Sequence, residues 1–258
     1  MEVLRVRGAA LAAAASLVAV AISGCGAGDE AAETALPTAA EPAPPTEVPP
    51  PRPAVLRLPS DGHPVVWVRQ DRHVNLFDEP GGSAIQTVAD RTEFGSRTVY
   101  GVVRTHGHWA GVSTPYLPNG QLAWVRLDPD RLRSGAVAWE IRIDLSDYEA
   151  KLVLRDRVVR SFSVSVGMPG AETPTGRFAV TDTFRGDLNA AYGCCALALT
   201  ARQVRLPSGW LGGDRIAIHG TSGPLGAAIS HGCVRAGDVD VSELVDRLPL
   251  GTPVVIQA

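Results

Sequence analysis

Two imidazoles, one thiol and one guanidinium fall within the seventeen residues from His219 to Arg235, separated mainly by small side chains. A thiol is a weak nucleophile until it loses its proton, and a neighbouring imidazole can accept that proton and return it later. Cys233 is therefore the candidate nucleophile, and two histidines compete to serve it. His231 lies two residues before Cys233, so an extended segment would point both side chains the same way. His219 ends the alternating run Arg215-Ile216-Ala217-Ile218-His219, which reads as a buried strand delivering an imidazole to a sheet edge. The glycine-rich stretch from Gly220 to Gly226 then lets the chain loop back and bring Cys233 alongside.

His219-Gly220, followed by Ser230-His231-Gly232-Cys233-Val234-Arg235, resembles the signature of the L,D-transpeptidase catalytic domain (the YkuD type). Thr173-Pro174-Thr175-Gly176-Arg177-Phe178 resembles that family's turn into a strand, and the likeness covers roughly the last 120 residues. The resemblance implies a thioester enzyme acting on peptidoglycan stem peptides. Cys233 would attack the carbonyl at the third-residue L-centre, D-alanine would leave, and a neighbouring amine would complete a 3→3 cross-link. His219 matches the general base, with the Gly220 carbonyl orienting its ring; His231, beside the nucleophile, shapes the pocket or polarises the substrate. The amides of Gly232 and Cys233 form an oxyanion hole. Ser230 and Gly232 fall in the substrate-binding segment, and Arg235 takes a substrate carboxylate in a bidentate fork. Carbapenem β-lactams are the expected inhibitors. An L,D-carboxypeptidase, with water as acceptor, and a non-catalytic wall-binding lipoprotein stay open as alternatives.

No cofactor or metal is expected. A zinc site from Cys194, Cys195, His231 and Cys233 lacks paired C-x-x-C spacing and would consume the nucleophile. Cys194 and Cys195 are expected as free, buried thiols, because adjacent cysteines pair only through a strained eight-membered ring. His106 and His108, flanking Gly107, read as solvated hairpin residues.

The elements that must position these groups are mainly β. Residues 139 to 166 read as a β-meander with Ile141, Ile143 and Leu145 on one face, and Phe162, Val164 and Val166 alternating later. One convincing helix follows the cysteine: Val241, Leu244, Val245 and Leu248 recur at helical spacing, with Asp238 as N-cap. Pro249 and Gly251 stop it, and Val254-Val255-Ile256 closes the sheet. Upstream, five short strand-like runs between Val65 and Arg133 argue for a small β-barrel, and their order resembles bacterial SH3-like domains. Trp67, Trp109 and Trp124 are expected in its core, and Pro118-Asn119-Gly120 signals a hairpin. The expected fold is thus mainly β: a small SH3-like β-barrel over 60–133, then a β-rich catalytic domain over 137–258 with one clear C-terminal helix.

The N-terminus reads as an address. Arg5 and Arg7 precede an apolar run from Gly8 to Ile22, too short to span a bilayer comfortably. It ends Ile22-Ser23-Gly24-Cys25, which resembles a bacterial lipoprotein signal over 1–25 with Cys25 lipidated. Residues 26–58 form a Pro/Ala-rich tether with no periodic apolar face. The expected location is the outer face of the bacterial cytoplasmic membrane, held by a lipid anchor and facing the wall. A formal net charge of −3 gives no electrostatic case for nucleic acid.

Overall fold

The computed structural model describes residues 54–186, 188–206, 208 and 213–258. The expected signal, Cys25 and nearly all of the tether lie outside these residues.

The first sheet has seven strands: β1 (His63–Val68), β2 (His73–Phe77), β3 (Ala84–Ala89), β4 (Val99–His106), β5 (Trp109–Val112), β6 (Ala123–Arg126) and β7 (Leu132–Val137), in the order β3-β2-β6-β5-β4-β1-β7. Period-two alternation sends Val66, Val68, Leu76, Val102, Val112, Val125 and Leu132 into one apolar cluster. The three tryptophans expected in that core are only half-buried. Valine, leucine and alanine fill the interior, leaving Trp109 to meet Phe77 edge-on at 5.0 Å between centroids. Two strands exceed the five runs read from sequence. The polar segment Leu132-Arg-Ser-Gly-Ala-Val137 becomes β7 because it pairs along all of β1, from His63↔Val137 to Val68↔Leu132. His106 and His108 are exposed at the β4–β5 hairpin, where Gly107 takes φ +54°.

The second sheet follows after one residue, with β8 (Trp139–Asp144), β9 (Glu149–Leu154), β10 (Arg157–Gly167), β11 (Gly176–Arg185), β12 (Cys195–Arg202), β13 (Arg215–Thr221), β14 (Ala228–Ser230), β15 (Val234–Gly237) and β16 (Pro253–Gln257). Its order is β14-β10-β15-β13-β12-β11-β16-β8-β9, and β9 also pairs with β10. That last pairing closes eight strands into a barrel, with β14 attached outside. Ile141, Ile143, Leu152, Val164, Leu197 and Ile218 fill it, each at most 1% exposed. Helix α1 (Asp238–Arg247) adds Val241 and Leu244 to the same core. Its cap is the backbone of Gly237. Asp238, expected as N-cap, is the first helical residue and uses its carboxylate elsewhere.

Polar contacts tie the two sheets together. Ser113 Oγ and Thr200 Oγ1 meet at 2.6 Å, and Thr92 Oγ1 donates to Asp182 Oδ1 at 2.5 Å. Asn119 lies not in a tight hairpin but in the longer 113–122 connection. It grips the backbone of Arg202 from both sides, donating to O at 2.6 Å and accepting from N at 2.9 Å. Among the described residues no helix is long and apolar enough to cross a membrane.

Candidate active site

Strands β13 and β15 run parallel, with Ile218 opposite Val234 and His219 opposite Arg235. Alternation then sorts the side chains. Ile216, Ile218, Val234 and Ala236 point into the barrel and are at most 1% exposed. His219, Ala217 and Arg235 share the other face, and Cys233, one residue before β15, continues that row. Across β13 on the same face stand Ala196 and Ala198, paired with His219 and Ala217. A cavity of about 360 Å3 opens on this side of the sheet. It is lined by His219, Ser230, His231, Cys233 and Arg235, together with Tyr192 and Gln203.

The segment before the cysteine is not extended. Gly232 adopts φ +114°, a conformation that an L side chain adopts only with strain. A Cβ there would stand 2.2 Å from Gln203 Nε2. The expectation that His231 and Cys233 point the same way therefore fails at its premise. His231 is exposed, while Cys233 is half-buried. Ser230 is tied into the same turn. It is fully buried, donates its hydroxyl to Cys233 O at 2.5 Å, and accepts from Gly232 N at 3.1 Å. Its hydroxyl folds the turn, while the residue also lines the cavity. The same bond occupies the Gly232 N–H, so that amide is not free to serve an oxyanion.

Two buried side chains brace this turn from outside. Thr173 Oγ1 accepts from Gly167 N and donates to Gly232 O, both at 2.8 Å. Gln203 Nε2 donates to His231 O at 3.1 Å and to Glu172 O at 3.2 Å. Thr173 belongs to the Thr-Pro-Thr-Gly segment singled out in the sequence; Gln203 carried no signal there.

His219 is held from two sides. Its Nδ1 lies 2.9 Å from Gly220 O. A carbonyl only accepts, so Nδ1 carries the proton and Nε2 keeps the lone pair. The Tyr192 ring, just after the short 3-10 turn Ala190–Tyr192 begins, meets the imidazole edge-on at 5.0 Å. Asp238 fixes the segment behind that tyrosine. Its Oδ1 accepts from Cys194 N at 3.0 Å, and it occupies a notch between Gly193 and Gly220. A Cβ on either glycine would come within 2.3 Å of that oxygen. Neither Tyr192 nor Asp238 was found from sequence as a site residue, because each acts across strands.

Cys194 and Cys195 are bonded to each other, not free as expected. Strand β12 points Cys195 inward and leaves Cys194 outside, and the two sulfurs meet at the strand's first residue. Cys233 is the free cysteine among the described residues. No group of three or more metal-ligating side chains occurs among them either.

Burial holds the His219 imidazole below its ordinary value; the Gly220 carbonyl opposes this and the Arg235 charge adds to it. Burial pushes the Cys233 thiol up, against the opposing pull of the Ala217 N–H and Arg235. Both shifts act in favour of the uncharged forms, the thiol and the neutral imidazole. Arg235 Nε is buried without a hydrogen-bond partner, and the residue lines the same cavity as Cys233.

Comparison with known proteins bears on this segment. Residues 138–256 match the YkuD family, described as the L,D-transpeptidase catalytic domain. The YkuD proteins of Bacillus licheniformis and Bacillus subtilis are each 30% identical over 122 residues, which is 46% of this chain and 66% of theirs. The chain thus spans just under two thirds of those relatives. Among solved structures, an L,D-transpeptidase from Mycobacterium smegmatis is 16% identical, with 80% of this chain and 96% of that one covered at a TM-score of 0.39. By its sequence match, the closed barrel of residues 138–256 is homologous to the YkuD family and carries an L,D-transpeptidase-type catalytic fold.

Proposed function

We propose that this chain is a cysteine-nucleophile L,D-transpeptidase that cross-links peptidoglycan stem peptides. The observation that supports this most is the shared face of two parallel strands. It gathers a free thiol, an imidazole of fixed tautomer and an arginine with an unpartnered donor around one cavity.

In this reading His219 Nε2 takes the Cys233 proton as sulfur bonds to the donor carbonyl at the third-residue L-centre. The Cys233 amide, with Gly232's already taken, is the candidate donor to the oxyanion. The C–N bond to D-alanine breaks, and the imidazolium returns its proton to the departing amine. An acceptor amine then attacks the thioester, gives its proton to His219, and releases Cys233 with a 3→3 cross-link formed. Arg235 holds a substrate carboxylate. Gly220 orients the base, and Ser230 and Gly232 shape the nucleophile's turn. His231, exposed at the cavity's rim, lines the acceptor approach.

The wider setting belongs to the same proposal. Export through a signal ending at Cys25, lipidation there, and a proline-rich tether would hold the catalytic barrel above the outer face of the membrane. The first sheet would be an SH3-like accessory.

The test is incubation of the exported chain with purified tetrapeptide stems, followed by mass analysis. Dimers with loss of D-alanine support the reading; tripeptides alone would make the enzyme an L,D-carboxypeptidase. A carbapenem should add its whole mass to the wild type and nothing to Cys233→Ala. An adduct on that variant would remove Cys233 as nucleophile.

A further inference from the structure

Far from Cys233 in the fold, one face of the first sheet carries an unassigned cleft of about 540 Å3. Trp67 of β1 stands directly opposite Arg133 of β7 and Val99 of β4, so the three side chains share one face. Arg97, two residues before Val99, is brought beside Arg91 by an isolated bridge between the two. Arg69 completes a set of four guanidiniums, against which the cleft holds a single carboxylate, Asp90.

These arginines are unspent. Arg69 donates to Pro129 O at 3.1 Å and Arg91 to Gly95 O at 2.9 Å, both neutral carbonyls. Every ion pair found among the described residues involves other arginines, lysine or His63. In a chain whose formal net charge is −3, that concentration of positive charge is local.

The cleft continues into an apolar groove of about 420 Å3, with Trp67 and Arg97 lining both. Val65, Val99, Val137 and Leu250 line the rest of it. The Trp67 ring rests against Gly135, where a Cβ would stand 3.0 Å from it.

We propose that this face binds an extended acidic peptide, with carboxylates in the arginine cleft and apolar side chains along the groove. Guanidinium forks match carboxylates in pairs, and a flat indole between charge and groove accepts the peptide's stem. An extended peptide sends alternate side chains to opposite edges, so acidic residues along one edge and apolar ones along the other fit a cleft and groove that lie side by side; a uniformly polar polyanion would leave Val99 and Leu250 uncovered. The proposal is independent of the chemistry assigned to Cys233.

The test is fluorescence anisotropy of the full chain with a labelled peptide of alternating glutamate and valine. A lysine–valine peptide, a glutamate–serine peptide and phosphatidylglycerol vesicles serve as the other arms. Binding should be seen for the glutamate–valine peptide, weaken with added salt, and fall by roughly tenfold or more in Arg97→Glu/Arg133→Glu. Carbapenem acylation of Cys233 should stay at the wild-type rate in that variant, which also shows that it folds. Absence of binding, binding indifferent to the variant, or equal binding of the lysine–valine peptide would overturn the proposal. Retention by vesicles with no peptide bound would instead make the face a lipid site. Equal affinity for the glutamate–serine peptide would remove the groove from it.

Discussion

Thr173→Val removes one hydroxyl and almost no volume, so its effect isolates two hydrogen bonds. The side chain is 3% exposed, and its Oγ1 bridges Gly167 N and Gly232 O, both at 2.8 Å. Valine can make neither bond, and no cavity opens to admit water. Each orphaned buried backbone group costs about 1–3 kcal/mol. Some relaxation of the exposed 168–172 side would recover part of this, so a loss of about 2–4 kcal/mol is expected. In a fold of this size that lowers the thermal midpoint by roughly 5–15 °C. Urea unfolding followed by tryptophan fluorescence measures it, with Thr173→Ser as control. Serine keeps the hydroxyl and should stay within about 1 kcal/mol of wild type. Gly232 O is one peptide from the sulfur, so Cys233 alkylation in native buffer should also change more in the valine variant than in the serine one. If valine and serine variants unfold together, or valine costs under about 0.5 kcal/mol, the bridge does not hold the turn.

Three further outcomes follow from the site. Carbapenem acylation should fall as the solution is acidified below pH ~6.5, because the His219 midpoint is depressed and its protonated form cannot take the thiol proton. An acid limb centred above that value would refute the depressed imidazole. The same two shifts bear on stability. His219, lowered by burial, favours the fold above its unfolded midpoint and loses that contribution as pH falls. Cys233, raised by burial, keeps its contribution below the ordinary thiol range and loses it as pH rises through its own midpoint. Replacing His219 with glutamine should cost on the order of a thousandfold in acylation rate, against under roughly tenfold for His231→Gln; the reverse ranking would exchange their roles. Gly220→Ala should uncouple the base, since its Cβ would sit 2.2 Å from Asp238 Oδ1 and 3.0 Å from Cys194 N. A variant with wild-type acylation would show that the Asp238 notch is not what fixes His219.

The mostly β character and the final helix were legible because they rest on local periodicity. Ile141, Ile143 and Leu145 alternate, and Val241 and Leu244 recur at helical spacing, whatever surrounds them. Arg215 to His219 was readable as a strand for the same reason. What failed was non-local. The polar run of β7 has no strand signature and becomes one only by lying along β1. The bonds of Ser230 to Gly232 and Cys233 could not be read from sequence, because they form across a turn that rests on the positive φ of Gly232. Asp238 sits where an N-cap belongs, yet its carboxylate serves Cys194 across two strands. The paired cysteines were misjudged because Cys194 lies one residue before β12, outside the strand alternation that holds adjacent side chains apart.

The barrel's last stave in chain order has a bearing on when the cylinder can close. Strand β16 lies between β11 and β8, and it pairs in parallel with β8, more than a hundred residues earlier in the chain. Until residues 253–257 are made, nothing fills the seam between β11 and β8 and the cylinder stays open there, although β9 can already join β10 and β10 join β15. His219 and Cys233 meet through the direct pairing of β13 with β15, so the last strand seals the barrel around a pair that its neighbours have already assembled.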